Sequence, residues 1–226
     1  MIKDFILDLI FPRFCIGCNK ELNLKQASFI CEACFNKIPL NGAERLKKTN
    51  LNEVWAAGKY QDPILREMIH QFKYQSIESL KKPLAQLMIN YLEKEKLTEK
   101  LHPNVGSSVF NIYNIVLVPI PLTWRRKISR GFNQSELLAE ELSQAINCPV
   151  INLLRRRKFS APQARIEDWK RRKENISGAF ELSLNELPEK VILIDDVTTS
   201  GATLEEAAFI LKQAGVKEVY GLVVAN

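Results

Sequence analysis

Val191-Ile-Leu-Ile-Asp195-Asp196-Val-Thr198-Thr199-Ser200-Gly201-Ala202-Thr203 decides the fold. Its four consecutive aliphatics, residues 191–194, read as a strand buried on both faces, which is the pattern of a parallel sheet. Two adjacent carboxylates, Asp195 and Asp196, stand at that strand's carboxyl end. A hydroxyl-rich loop with one glycine follows, and then Leu204, Ala208 and Leu211 open a helical pattern expected over residues 203–214. Free amides at a helix N-terminus bind phosphate, and small residues let it approach closely. A carboxylate pair just upstream can hold vicinal hydroxyls or a magnesium ion. Together these describe a site for a ribose bearing a 5′-phosphate, at the sheet edge where parallel strands take ligands.

Ile115, Val116, Leu117 and Val118 make a second all-apolar run, again a buried strand. It leads into Pro119-Ile120-Pro121, then Arg125, Arg126, Lys127, Arg130 and Gly131, before a helix with Leu137, Leu138, Leu142 and Ile146 in phase. Residues 119–130 are expected as a rigid loop that presents guanidinium forks to phosphate oxygens. A first strand is expected over residues 54–60, and Asp62-Pro63 marks a helix start, an N-cap acid followed by proline. A second helix is expected over residues 83–96, short strands over 148–154 and 178–182, and a last strand over 216–224. Strands alternating with helices imply an α/β protein with a mostly parallel sheet and right-handed crossovers.

Nearer the N-terminus, Cys15-Ile-Gly-Cys18 and Cys31-Glu-Ala-Cys34 are separated by twelve residues. Two such turns supply four thiolates for a tetrahedral zinc ion. The stretch between them has too few large apolar residues for a core of its own, so metal would supply its folding energy. Four cysteines leave no open position, which marks the site as structural. Two disulfides are the competing reading, and they need an oxidising compartment. Residues 1–12 carry Lys3, Asp4 and Asp8 among Ile2, Phe5, Ile6, Leu9 and Ile10, which reads as a docking helix and not a signal peptide. A cytoplasmic protein with no membrane insertion is therefore expected. Cys148 reads as a small buried residue, and His70 and His102 lack ligand spacing. The expected division is residues 1–50, the helix, ribbon and a polar linker, and residues 51–226, the α/β domain.

The net charge is +6, with basic clusters at 125–127, 155–158 and 170–173. An anionic partner is implied, although a charge run by itself is usually a solvated face. Residues 155–175 are dense in Arg and Lys without apolar periodicity. They suit either a mobile lid over a phosphate site or a strip that holds nucleic-acid phosphates.

The stretch at 191–203 resembles the phosphoribosyl-pyrophosphate (PRPP) binding motif of type I phosphoribosyltransferases. That resemblance implies that Asp195 and Asp196 hold the ribose 2′- and 3′-hydroxyls. It also implies that Thr198, Thr199, Ser200, Gly201, Ala202 and Thr203 wrap the 5′-phosphate, and that Mg2+ accompanies PRPP. It assigns the pyrophosphate to the loop of Pro119, Ile120, Pro121, Arg125 and Arg130. Further features narrow the likeness: Val-Pro-x-Pro, then Arg130-Gly-Phe-Asn-Gln134 before a helix, Phe72-Lys73-Tyr74, the four-cysteine ribbon, and Arg157, Gln163, Arg172, Asn175, Gly178, Ala179 and Phe180 in order. The whole resembles the ComF family of competence proteins and its relative GntX.

The resemblance implies a PRPP-binding, phosphoribosyltransferase-like factor in DNA uptake and natural transformation, working beside a helicase-like partner. The alternatives are an active transferase that moves ribose-5-phosphate to a nitrogen acceptor, and a zinc-ribbon adaptor for single-stranded DNA. Phosphoribosyltransferases carry a hood for the acceptor, often after the last core strand. The sequence given ends there, and residues 1–50 show no recognisable acceptor pocket. No catalytic residue is assigned, and binding is better supported than transfer.

Overall fold

The computed structural model describes residues 13–22, 29–41, 49–97, 115–157, 178–184 and 186–226. The helix expected within residues 1–12, His102 and most of the basic segment at 155–175 lie outside them.

Four strands form one parallel sheet: β1 (Glu53–Gly58), β2 (Ile115–Pro119), β5 (Lys190–Val197) and β6 (Glu218–Ala225), in the order β1-β6-β5-β2. Alternation along these strands splits the core in two. Trp55, Leu117, Ile192, Ile194 and Leu222 pack with helices α2 (Pro63–Tyr74), α3 (Lys81–Lys94) and α5 (Gln134–Ile146). Val54, Val116, Val118, Val191, Leu193 and Val223 pack instead with helix α6 (Ala202–Gln213). Both faces are covered, which is why the strands read as unbroken apolar runs and not as alternating ones. Each fully buried aliphatic contributes about 1.5–3 kcal/mol. The α/β architecture with a parallel sheet is the one expected.

Local chemistry sets most element ends. Asp62 Oδ1 accepts from Leu65 N–H at 2.9 Å and Pro63 begins α2. A 3-10 turn, Glu78–Leu80, starts the next helical stretch, so α3 begins two residues earlier than its Pro83 suggests. Asn133 caps α5 by accepting from Ser135 N–H at 3.2 Å, and Asn147 closes it in the left-handed region.

Two local expectations need correction. Residues 119–130 are not loop throughout: a short helix α4 (Trp124–Arg130) stands between Thr123, whose Oγ1 accepts from Arg126 N–H at 3.4 Å, and left-handed Gly131. None of α4 is buried, so it has no apolar stripe. Its sequence signals are the capping threonine and terminal glycine alone. The strand expected over 148–154 shrinks to a single parallel bridge between Val150 and Leu117. Pro149 has no N–H to continue that ladder. The chain instead forms an antiparallel pair, β3 (Leu154–Arg156) with β4 (Phe180–Leu182).

The four-cysteine segment packs on this body. A one-turn helix α1 (Glu32–Phe35) follows Cys31. Cys15, Leu22, Ile30, Cys34 and Ile38 belong to the same apolar cluster as Trp55 and Leu65.

Candidate functional site

β2 and β5 lie side by side, so the loops after them leave the sheet at one point. Pro119 is in register with Ile194, and Ile120 N–H donates to the Ile194 carbonyl at 2.9 Å. The carboxylates are still within β5, which runs on to Val197. Asp195 is half-buried and Asp196 is buried.

Three other elements converge on this pair. Lys73, at the end of α2, places Nζ 2.8 Å from Asp196 Oδ1. Ser135, in the first turn of α5, donates its hydroxyl to Asp195 Oδ1 at 3.0 Å, and Asp196 N–H donates to the same oxygen at 2.9 Å. Burial, with the Asp196 charge behind it, pushes the Asp195 carboxyl up to about 7 against these donors and Lys73. Neighbouring buried polar groups brace the arrangement. Asn133 Nδ2 donates to the Ile120 carbonyl at 3.1 Å, and Gln134 Nε2 donates to the Phe72 carbonyl at 3.3 Å. Arg130 Nη1 donates to Gln134 Oε1 at 3.1 Å and its guanidinium lies over Tyr74 at 5.4 Å. Phe72-Lys73-Tyr74 and Arg130-Gly-Phe-Asn-Gln134 are thus two halves of one support for the β5 carboxylates.

Lys73→Met leaves Asp196 without its cation. The pair is neither fully exposed nor fully buried, so the expected loss in unfolding free energy is about 1–3 kcal/mol, measured by urea denaturation. An unchanged midpoint would show that Lys73 does not hold the carboxylate in solution.

Beyond Asp196, Thr198 is buried and its N–H donates to the Ala225 carbonyl at 3.0 Å, while Thr199 and Ser200 are exposed. Gly201 takes φ +72° at the N-cap of α6, a left-handed conformation that glycine adopts without strain. It offers no side chain to cap the helix. The first-turn amides of α6 are therefore left for other acceptors, with Ser200 Oγ accepting from Ala202 N–H at a long 3.4 Å. Residues 119–121 and residues 198–203 thus leave neighbouring strands at the same end of the sheet, with Ile120, Asp196 and Thr198 buried and Thr199 and Ser200 exposed. Of the arginines named from the sequence, Arg130 is braced as described, and Arg125 is exposed with its guanidinium 5.9 Å from the Trp124 ring.

The second candidate site is the cysteine cluster. The four Sγ atoms of Cys15, Cys18, Cys31 and Cys34 all lie within 4.8 Å of one another, and Cys18 and Cys31 approach to 3.9 Å. Tetrahedral Zn–S bonds of about 2.3 Å require sulfurs about 3.8 Å apart, so the set fits zinc. Burial raises the Cys15 thiol, but backbone N–H groups of Cys31, Cys18 and Gly17 outweigh it and lower the thiol to about 6, which favours the thiolate that binds metal. A Cβ on Gly17 would stand 2.8 Å from both Cβ and Sγ of Cys34, so the knuckle closes only around glycine. None of the five cysteines is in a disulfide. Cys148 is buried alone, as expected, with its Sγ 3.4 Å from the Ile115 carbonyl.

Sequence reasoning assigned no role to Lys73, Ser135 or Gln134 in this support. Nothing local in the sequence marks them; only in the fold are Asn133, Gln134 and Ser135 seen to be buried polar residues with partners. Among the described residues no helix is long and apolar enough to cross a membrane.

Fold and sites together define an α/β protein whose parallel sheet carries a carboxylate pair and a hydroxyl loop at its carboxyl end, with a four-cysteine cluster that fits zinc packed against its body. No family model matches the chain. The chain is 30% identical over 209 residues to Competence protein F of Haemophilus influenzae, covering 91% of this chain and 86% of that protein. It is 27% identical over 208 residues to Competence protein ComFC of Bacillus subtilis, covering 90% of this chain and 79% of that protein. It is also 31% identical over 158 residues to DNA utilization protein YhgH of Escherichia coli, covering 70% of this chain and 65% of that protein. The chain belongs to the ComF family.

Proposed function

We propose that the carboxyl edge of the sheet binds PRPP or a related phosphoribosyl ligand. We further propose that the protein serves DNA uptake as a non-catalytic or weakly catalytic factor. One observation carries the first part: Asp195 and Asp196 stand beside an uncapped helix N-terminus that opens on left-handed Gly201. In this reading the carboxylates accept from the ribose 2′- and 3′-hydroxyls. Residues 198–203 take the 5′-phosphate, and Pro119, Ile120, Pro121, Arg125 and Arg130 face the diphosphate with its Mg2+. Zinc at Cys15, Cys18, Cys31 and Cys34 is structural. The names of relatives, a competence protein and a DNA utilization protein, support the second part.

Thermal shift with PRPP and Mg2+ tests the ligand. Wild type is expected to gain stability in proportion to the logarithm of ligand concentration, and Asp195→Ala/Asp196→Ala is expected to gain none. An equal shift in both proteins would remove PRPP from this site.

A second reading, contact with single-stranded DNA, is favoured by α4 and its neighbour Tyr74. Trp124, Ile128 and Tyr74 are exposed, and Arg125 and Arg130 lie over the Trp124 and Tyr74 rings. Aromatic faces interleaved with arginine suit stacked bases on a charged backbone track. Salt-dependent binding of an oligonucleotide, weakened by Trp124→Ala, is the expected result.

A further inference from the structure

The four cysteines that fit zinc differ in their access to solvent. Cys15 and Cys34 are buried, Cys31 is half-buried and Cys18 is exposed. Each Cys-x-x-Cys knuckle therefore contributes one buried cysteine and one that solvent reaches. The two reachable ones come from different knuckles, and their sulfurs approach to 3.9 Å.

The buried pair is shielded in further ways. Cys15 Sγ accepts from Cys31 N–H at 3.3 Å and from Gly17 N–H at 3.4 Å. Cys34 Sγ lies so close to Gly17 that a Cβ there would stand 2.8 Å from it. Both cysteines also belong to the apolar cluster of Trp55 and Leu65. In a zinc-loaded chain all four sulfurs are already thiolates, so access and not protonation decides which of them meets an oxidant first.

We propose that Cys18 and Cys31 form a peroxide-oxidisable pair whose conversion to a disulfide discharges the metal, an inference that rests on the zinc reading above. The Cys18 thiolate attacks one oxygen of hydrogen peroxide. The O–O bond breaks, hydroxide leaves and a sulfenic acid remains on Cys18. The Cys31 thiolate then attacks that sulfur, the S–S bond forms and a second hydroxide leaves. Two electrons pass from the sulfurs to the peroxide, and two protons from solvent convert both hydroxides to water. Closing the pair brings the sulfurs from 3.9 Å to about 2.05 Å, on the exposed side of the cluster. Cys15 and Cys34 stay anchored in the core, and they are half the ligands that a structural zinc site requires. The disulfide ties the first knuckle to the second and encloses Leu22 and Ile30, so it restrains the segment that the metal had ordered. A disulfide inside either knuckle would leave the two turns untied.

Hydrogen peroxide added to the zinc-loaded full chain tests this, with a chromogenic chelator, thiol counting and non-reducing peptide mapping as readouts. Wild type is expected to release its zinc, to lose two of its five thiols and to yield a Cys18–Cys31 disulfide. Dithiothreitol with added zinc should restore the metal. Cys18→His keeps a metal ligand and cannot form the disulfide, so it is expected to load zinc and to release it to peroxide at least about 10-fold more slowly. The disulfide mapped in wild type decides the pairing even where the histidine variant loads no zinc. Cys148→Ser is expected to release zinc at the wild-type rate; slower release there would place Cys148 in the reaction and overturn the pairing. A chain that carries no metal as purified overturns the zinc reading and this inference with it. A zinc-loaded chain that keeps its metal in a large excess of peroxide overturns this inference alone. So does a disulfide formed within either knuckle, or zinc release from Cys18→His as fast as from wild type.

Discussion

Cys15→Ser or Cys34→Ser is expected to abolish zinc binding and lower the stability of the whole chain by at least about 4 kcal/mol. Both cysteines are buried, at 2% and 5% exposure, inside the apolar cluster that includes Trp55, Leu65 and Met68. Losing the metal therefore unpacks more than the ribbon. Leu22, Ile30 and Ile38 are held over the body of the protein by a segment whose described residues form only a one-turn helix and the Phe14–Glu21 bridge. Zinc supplies on the order of 10–16 kcal/mol of apparent binding energy to small peptide sites, and the conformational entropy of that chain offsets much of it. Metal analysis should give close to one zinc per chain in wild type and little in either variant, with the urea midpoint falling in parallel. Cys148→Ser is the control. Its thiol is pushed up to about 12 by burial, lies 3.4 Å from the Ile115 carbonyl and is not one of the four clustered sulfurs, so zinc content should not change and about 1 kcal/mol should be lost. Full stability in metal-free wild type would show that packing, and not zinc, orders the segment.

What the chain reveals before folding is what its local chemistry settles. Residues 191–194 and 115–118 are legible as buried strands because both faces of the sheet are covered, so no polar residue interrupts them. Asp62-Pro63 is legible because a cap acts within three residues. The cysteine knuckles are legible because metal geometry fixes their spacing. Helix α4 is not, because a helix with no buried face has no periodicity to read. The three-residue strands β3 and β4 escape notice for a different reason: only their cross-strand register, Arg155 against Glu181 and Arg156 against Phe180, gives them meaning. The site divides the same way. Its β5 carboxylates and α6 loop are contiguous in sequence and could be named. Lys73 and Ser135 reach them from sequence positions far removed, and nothing local marks an ammonium as the partner of Asp196 rather than of water.

Asp195→Asn is expected to stabilise the ligand-free protein at alkaline pH while weakening its response to PRPP. Asparagine keeps an oxygen for the Ser135 hydroxyl and the Asp196 N–H, both of which now meet Asp195 Oδ1. It discards a charge that burial and Asp196 disfavour. The sign follows from the carboxyl's rise from 3.8 to about 7 on folding. Between those values the folded chain holds a proton that the unfolded chain has released, so unfolding free energy falls as pH rises through that window. Above about pH 7 both states are ionised and the full penalty is present. A shift of this size corresponds to about 2–4 kcal/mol once coupling to Asp196 is allowed for. Urea denaturation at pH 5 and pH 8.5 should therefore show the variant gaining over wild type mainly at the higher pH. An equal gain at both values would place the effect in packing and not in charge. The same titration carries a functional consequence. An ionised carboxylate accepts hydroxyl donors more strongly than a neutral one, so PRPP affinity in wild type should rise between pH 6 and pH 8. In the asparagine variant that rise should shrink to the part that the ligand's own phosphate titration supplies. A charge that costs stability until two hydroxyls arrive is what a binding site, as opposed to a structural ion pair, is expected to hold.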